Sequence, residues 1–88
     1  MKMRFQGALV KEQGVTFGVV IVKRHVLGDK AECERLRRSF ASVFGGVSIV
    51  LMAQDSRGVP TYQGRSDIVR FLANVPLEAI PLMEYTLN

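Results

Sequence analysis

Val15-Thr16-Phe17-Gly18-Val19-Val20-Ile21-Val22 and Val47-Ser48-Ile49-Val50-Leu51-Met52-Ala53 are the two runs whose reading decides the fold class. The first is rich in β-branched side chains and is apolar on both faces, with Phe17, Val19 and Ile21 on one and Val20 and Val22 on the other. The second is nearly continuous in apolar residues. Strands greasy on both sides lie at the centre of a sheet covered twice or at a subunit contact. The first is expected to run on from Val15 to Leu27, and the second from Val47 to Gln54.

Between them, Gly28 breaks the strand, and Asp29 to Glu32 has the spacing of a helix capping box. Cys33, Leu36, Phe40, Val43 and Phe44 then recur at helical spacing, so one stripe of this helix is buried. Its outer face carries Lys30, Glu34, Arg37 and Arg38, with opposite charges four residues apart. Gly45-Gly46 stops it. A helix joining two such strands makes a crossover, which places them parallel and central.

Outward from this unit, Lys2 to Val10 alternates as a half-buried strand, and Lys11 to Gly14 has the polar, glycine-ended composition of a hairpin loop. On the other side, Asp55-Ser56-Arg57-Gly58 is a turn signal. Pro60-Thr61-Tyr62-Gln63 is a short strand whose proline suits an edge or a first position. Ser66 is expected to cap a second helix, with Asp67 in its first turn and Ile68, Phe71, Leu72 and Val75 on its apolar stripe. Residues 76–88 form an extension: one short helical turn between Pro76 and Pro81, then an alternation of Met83, Tyr85 and Leu87. That alternation suits a terminal strand or an arm laid on the core or on a partner subunit. The expected fold is a single α+β domain over residues 1–88, in the order ββαββα, with a mixed four-stranded sheet and two helices on one face. Such a sheet leaves an apolar face open, and an exposed patch of that kind marks an interface. A homodimer is therefore expected, through that face or by exchange of the C-terminal arm.

The composition sets limits on function. With 88 residues, the chain can bury roughly 60–65% of the surface its unfolded form exposes, enough for one small core. The hydrophobic share of 48% and charged share of 23% belong to a globular protein and not to a disordered tail. No apolar run approaches the ~20 residues that cross a bilayer, so no membrane association is expected. The first residues lack the apolar block and cleavage site of a signal peptide. One cysteine excludes an internal disulfide framework and makes the cytoplasm the expected compartment. The net charge of +4 is mildly basic, a balance that favours polyanionic partners only weakly.

Few residues form a chemical constellation. Cys33 falls on the helix's apolar stripe and is expected to be a small hydrophobe there, not a reactive thiol. His25 follows two cations, and one His with one Cys cannot complete a zinc site. Neither a metal nor any other cofactor is expected. No Ser–His–Asp set and no useful carboxylate pair appears, so the chain is not expected to be an enzyme. The densest polar segment is 55–67. There Arg57, Tyr62, Arg65 and Ser66, with the free N–H groups of a helix start, are the candidate residues for holding a small anion or nucleic acid. Lys23, Arg24, Lys30, Arg35, Arg37 and Arg38 add basic charge, but few aromatics remain outside the core to interleave with it.

Val59-Pro60-Thr61-Tyr62 followed by Gly64-Arg65-Ser66-Asp67-Ile68-Val69-Arg70-Phe71-Leu72 resembles the C-terminal part of the thioredoxin fold, where a hairpin leads into a final helix. The resemblance covers about a quarter of the chain and implies that local order of elements. The redox Cys-x-x-Cys is absent, so no thiol chemistry follows from it. The function expected from the residues is a non-catalytic binding or interaction module that self-associates. A basic module taking nucleic acid or a small anion through residues 55–67 is the alternative.

Overall fold

A computed structural model describes residues 3–12 and 14–87. Lys2 at the expected start of the first strand, Gln13 in the hairpin loop and Asn88 at the end of the extension lie outside the described residues.

The fold is α+β. Strands β1 (Met3–Glu12) and β2 (Val15–Ile21) form the opening hairpin, closed by Gly14 at a φ of 81°. Helix α1 (Lys30–Ala41) crosses to β3 (Ser48–Gln54), which pairs with β2 in parallel as the crossover requires. The Asp55–Gly58 turn, with Gly58 at a φ of 82°, leads into antiparallel β4 (Pro60–Gln63). Helix α2 (Ser66–Leu72) and a short 3-10 turn over Leu77–Ala79 follow. Then β5 (Met83–Leu87) pairs antiparallel with β1. The sheet order is β4-β3-β2-β1-β5. The extension is thus a fifth strand, and the hairpin and helix of the thioredoxin-like segment are present as β3, β4 and α2.

Local chemistry accounts for most boundaries. Asp29 caps α1, its Oδ1 accepting from the Glu32 backbone N–H at 3.1 Å. The chain leaves α1 after Ala41, while Phe44, three residues on, still lies in the layer that Cys33 and Phe40 begin. Three expectations need correction here. Strand β2 ends at Ile21, and Arg24–Gly28 is a 3-10 turn. Val26 and Leu27 lean back onto the α1 layer instead of extending the sheet. Ser66 is the first residue of α2 and not its cap. Arg65 holds the cap position, and no side chain bonds there.

The third correction concerns the layers. The two helices lie on opposite faces of the sheet, not on one. Val20, Ile49 and Leu51 point toward α1, where Cys33, Phe40 and Phe44 join Phe5 in one buried cluster. Val19, Val50 and Met52 point the other way and pack with Ile68 and Leu72 of α2, with Ile80 beyond. The right-handed rule governs the parallel β2–α1–β3 connection and places α1. It places no constraint on α2, which connects β4 at one edge to the antiparallel β5 at the other. Two-sided strands need two covers, and the return path from β4 to β5 supplies the second. The open apolar face on which the expected dimer rested does not exist.

Candidate functional site

Segment 55–67 is held together mainly by its own turn chemistry. Asp55 Oδ1 accepts from the backbone N–H groups of Arg57 and Val59 at 2.8 and 2.9 Å, a side-chain-closed turn. These two donors, that of Val59 foremost, hold the Asp55 carboxyl below its usual range. Arg57 is exposed in that turn. Arg65 lies beyond the other end of β4, so the strand's four residues, about 13 Å at ~3.3 Å each, stand between the two arginines.

Arg65 is already committed. Its Nε and Nη2 donate to the two carboxylate oxygens of Asp67 at 2.7 and 2.8 Å. The pair raises the Arg65 pKa and lowers that of Asp67 to about 2, the side-chain hydrogen bond being the leading cause for each. Asp67 thus occupies the guanidinium that an anion would need. Ser66 is exposed at the start of a helix of only seven residues.

Tyr62 points inward, into the layer of Ile68 and Leu72. Its hydroxyl is buried with no hydrogen-bond partner among the described residues, and burial pushes its pKa above the usual value. Of the four candidate residues, therefore, only Arg65 and Ser66 are brought together. Gly64 between strand and helix presses on β3: a Cβ there would meet Val50 Cγ2 at 3.0 Å and the Ile49 carbonyl oxygen at 3.1 Å.

The remaining candidates fall into structural roles. Cys33 is fully buried and its thiol donates to the Val26 carbonyl at 3.2 Å, tying the 3-10 turn to α1. His25 is exposed in that turn. On the basic face of α1, Arg35 pairs with Glu32 and Arg37 donates to Gln63 on β4. Among the described residues no three potential metal ligands come together, and no helix is long and apolar enough to cross a membrane. A cleft of about 190 Å³, which no sequence motif signals, opens between Glu12, Val15 and Phe17 of the hairpin and Asp67, Ile68 and Phe71 of α2. Of its two carboxylates, Asp67 is the one neutralised by Arg65.

β4 and β5 are the two edges of the sheet, and β5 is the one at the end of the extension. This strand pairs with β1 on one side only, which leaves the outer row of its backbone N–H and C=O groups unpaired by the sheet. Met83 is 61% exposed, because its cross-strand neighbour is Gly7, which offers no side chain to lean on. Met3, opposite Leu87, is 42% exposed. Between them Tyr85 stacks on Phe5 with ring centres 5.6 Å apart and meets Phe44 edge-on at 4.9 Å. The strand is therefore backed by aromatic packing, while among the described residues nothing pairs with its outer edge. The alternation of Met83, Tyr85 and Leu87 is the sequence signal that finds it. Comparison of the chain with protein-family models, with curated proteins and with solved structures gives no match.

Proposed function

We propose that the chain is a non-catalytic interaction module of the cytoplasm that self-associates into a homodimer by strand addition at the β5 edge. The observation that carries this proposal is the unpaired edge of β5, flanked by exposed methionines and bearing neither proline nor basic residue. Natural sheets blunt their free edges with charged side chains, lysine above all, with proline or with very short strands; the five residues of β5 carry a single charge, Glu84, and no lysine or proline. Main-chain hydrogen bonds then supply affinity, and alternate side chains supply specificity. The cytoplasmic assignment rests on the single thiol, Cys33, which is buried in reduced form.

Paired lysine substitutions test it. Met83→Lys puts a charge at the most exposed apolar residue of the edge and should leave the monomer folded. It should weaken self-association on the order of 100-fold, since the change enters a two-fold interface twice at about tenfold each. Thr61→Lys, exposed on β4, should leave the association unchanged. Equal behaviour of the two variants in sedimentation would contradict the proposal.

A further inference from the structure

Resting on the β5-edge dimer proposed above, we infer the register of that dimer: the two-fold axis passes beside Tyr85, so that Tyr85 faces the partner's Tyr85. A two-fold axis relates two identical edge strands only as an antiparallel pair, since a parallel ladder differs on its two sides. With the axis normal to the sheet, directly opposed residues have like parity. Three registers are then available to this strand, centred on Glu84, Tyr85 or Thr86.

Centring on Glu84 opposes Glu84 to the partner's Glu84, a destabilising like-charge pair. Centring on Thr86 leaves Met83, the most exposed apolar residue, opposite no residue of the partner's β5. Centring on Tyr85 resolves both. Met83 then faces the partner's Leu87, and since Met3 pairs with Leu87 in each chain, the row reads Gly7, Met83, the partner's Leu87, the partner's Met3. Two of the exposed apolar residues fall into one continuous row. The next row extends the Phe5–Tyr85 stack across the axis. On the opposite face Glu84, whose neighbour is Gln6, meets the partner's Thr86 and lies one strand from the partner's Arg4, which pairs with that threonine. Of the three registers, this one alone both opposes no like charges and places Met83 against the partner's β5.

Cysteine cross-linking distinguishes the registers. Glu84 and Thr86 are both exposed, so Glu84→Cys and Thr86→Cys should fold, and the buried Cys33 does not compete. Directly opposed residues have Cα atoms about 4.5–5.5 Å apart, within disulfide reach, whereas residues offset along the strand do not. Oxidation of an equimolar mixture should give the mixed 84–86 disulfide in at least about fivefold excess over either self-linked product. Self-linked Glu84→Cys or Thr86→Cys in excess would overturn the Tyr85 register while the edge dimer stands. A dimeric mass without any cross-link would overturn the register and place the contact elsewhere. A monomeric mass for the unmodified chain would overturn the dimer itself, and the register with it.

Discussion

Strands β4 and β5 both terminate the sheet, but they offer different surfaces to an approaching strand. β4 has four residues and begins at Pro60, which cannot donate to a ladder. The turn before it is closed by Asp55, and the chain after it is pressed onto β3 through Gly64. Arg37 of α1 reaches Gln63, so a second element also braces this edge. β5 has none of these guards. It is backed by the Phe5, Phe40 and Phe44 cluster and carries its most exposed apolar residue at the margin. Under the proposed strand addition, a sheet with one guarded edge and one free edge would add a strand in one direction only, which closes a dimer and does not propagate a fibre.

Three substitutions break or sharpen this contrast. Phe44→Ala has the largest expected effect. The ring is buried against Phe5 and Tyr85, so its removal should cost about 3 kcal/mol. The loss should fall unevenly: amide exchange should rise in β5 and β1 while β3 and β4 stay protected. Uniform deprotection would mean that the two edges share one support.

Tyr62→Phe acts at the guarded edge and should have the opposite sign. It removes a buried hydroxyl that has no partner among the described residues, so stability should rise by up to about 1 kcal/mol in thermal or denaturant unfolding. The raised phenol pKa adds a pH signature. The folded state holds the proton more tightly than the unfolded one, so stability is intact below the ordinary tyrosine value and is lost as pH rises past it. The Phe variant should lack that component of the alkaline loss. A destabilised variant would show that the hydroxyl has a partner.

Asp67→Asn should have the smallest effect, confined to acid. The Asp67 pKa is lowered to about 2 from 3.8, so its pairing with Arg65 stabilises the fold above the higher value. That contribution is lost as pH falls from there toward the lower one. The Asn variant should show a flatter stability profile between these values. Because the pair is exposed, salt should shrink the difference. Identical profiles would mean that Arg65 is free, which would return it to the set of anion-binding candidates.

Legibility in the sequence followed the range of the interactions involved. The N-cap at Asp29, the hairpin glycine at position 14 and the proline-led β4 are decided within a few residues, and each stands where local chemistry puts it, although the reciprocal half of the capping box does not form: the Asp29 N–H donates to the Val26 carbonyl and the Glu32 carboxylate takes Arg35. The parallel pairing of β2 and β3 follows from their connection by a crossover helix, and the handedness of crossovers sets the face that α1 takes. The side of the sheet taken by α2 obeys no such rule. It follows from the second apolar face of β2 and β3, which α1 leaves uncovered, while the pairing of β5 with β1 across nearly the whole chain is a contact that the Met83–Leu87 alternation signals without naming its partner. Val26 and Leu27 look like strand because they are apolar, but they serve the α1 layer from a 3-10 turn. The polar segment 55–67 looked like a site because it gathers Asp, Arg, Ser and Tyr. In three dimensions Asp55 closes a turn, Asp67 neutralises Arg65, and Tyr62 turns inward. Which polar groups satisfy one another is a matter of angstroms, and composition does not carry it.

The native mass of the unmodified protein over a range of concentrations, by sedimentation or mass spectrometry, tests the β5-edge dimer. The expected result is a reversible dimer at twice 9.8 kDa that the Met83→Lys variant loses and the Thr61→Lys variant keeps. A chain that stays at 9.8 kDa up to its solubility limit would contradict it, because the free edge of β5 would then recruit nothing.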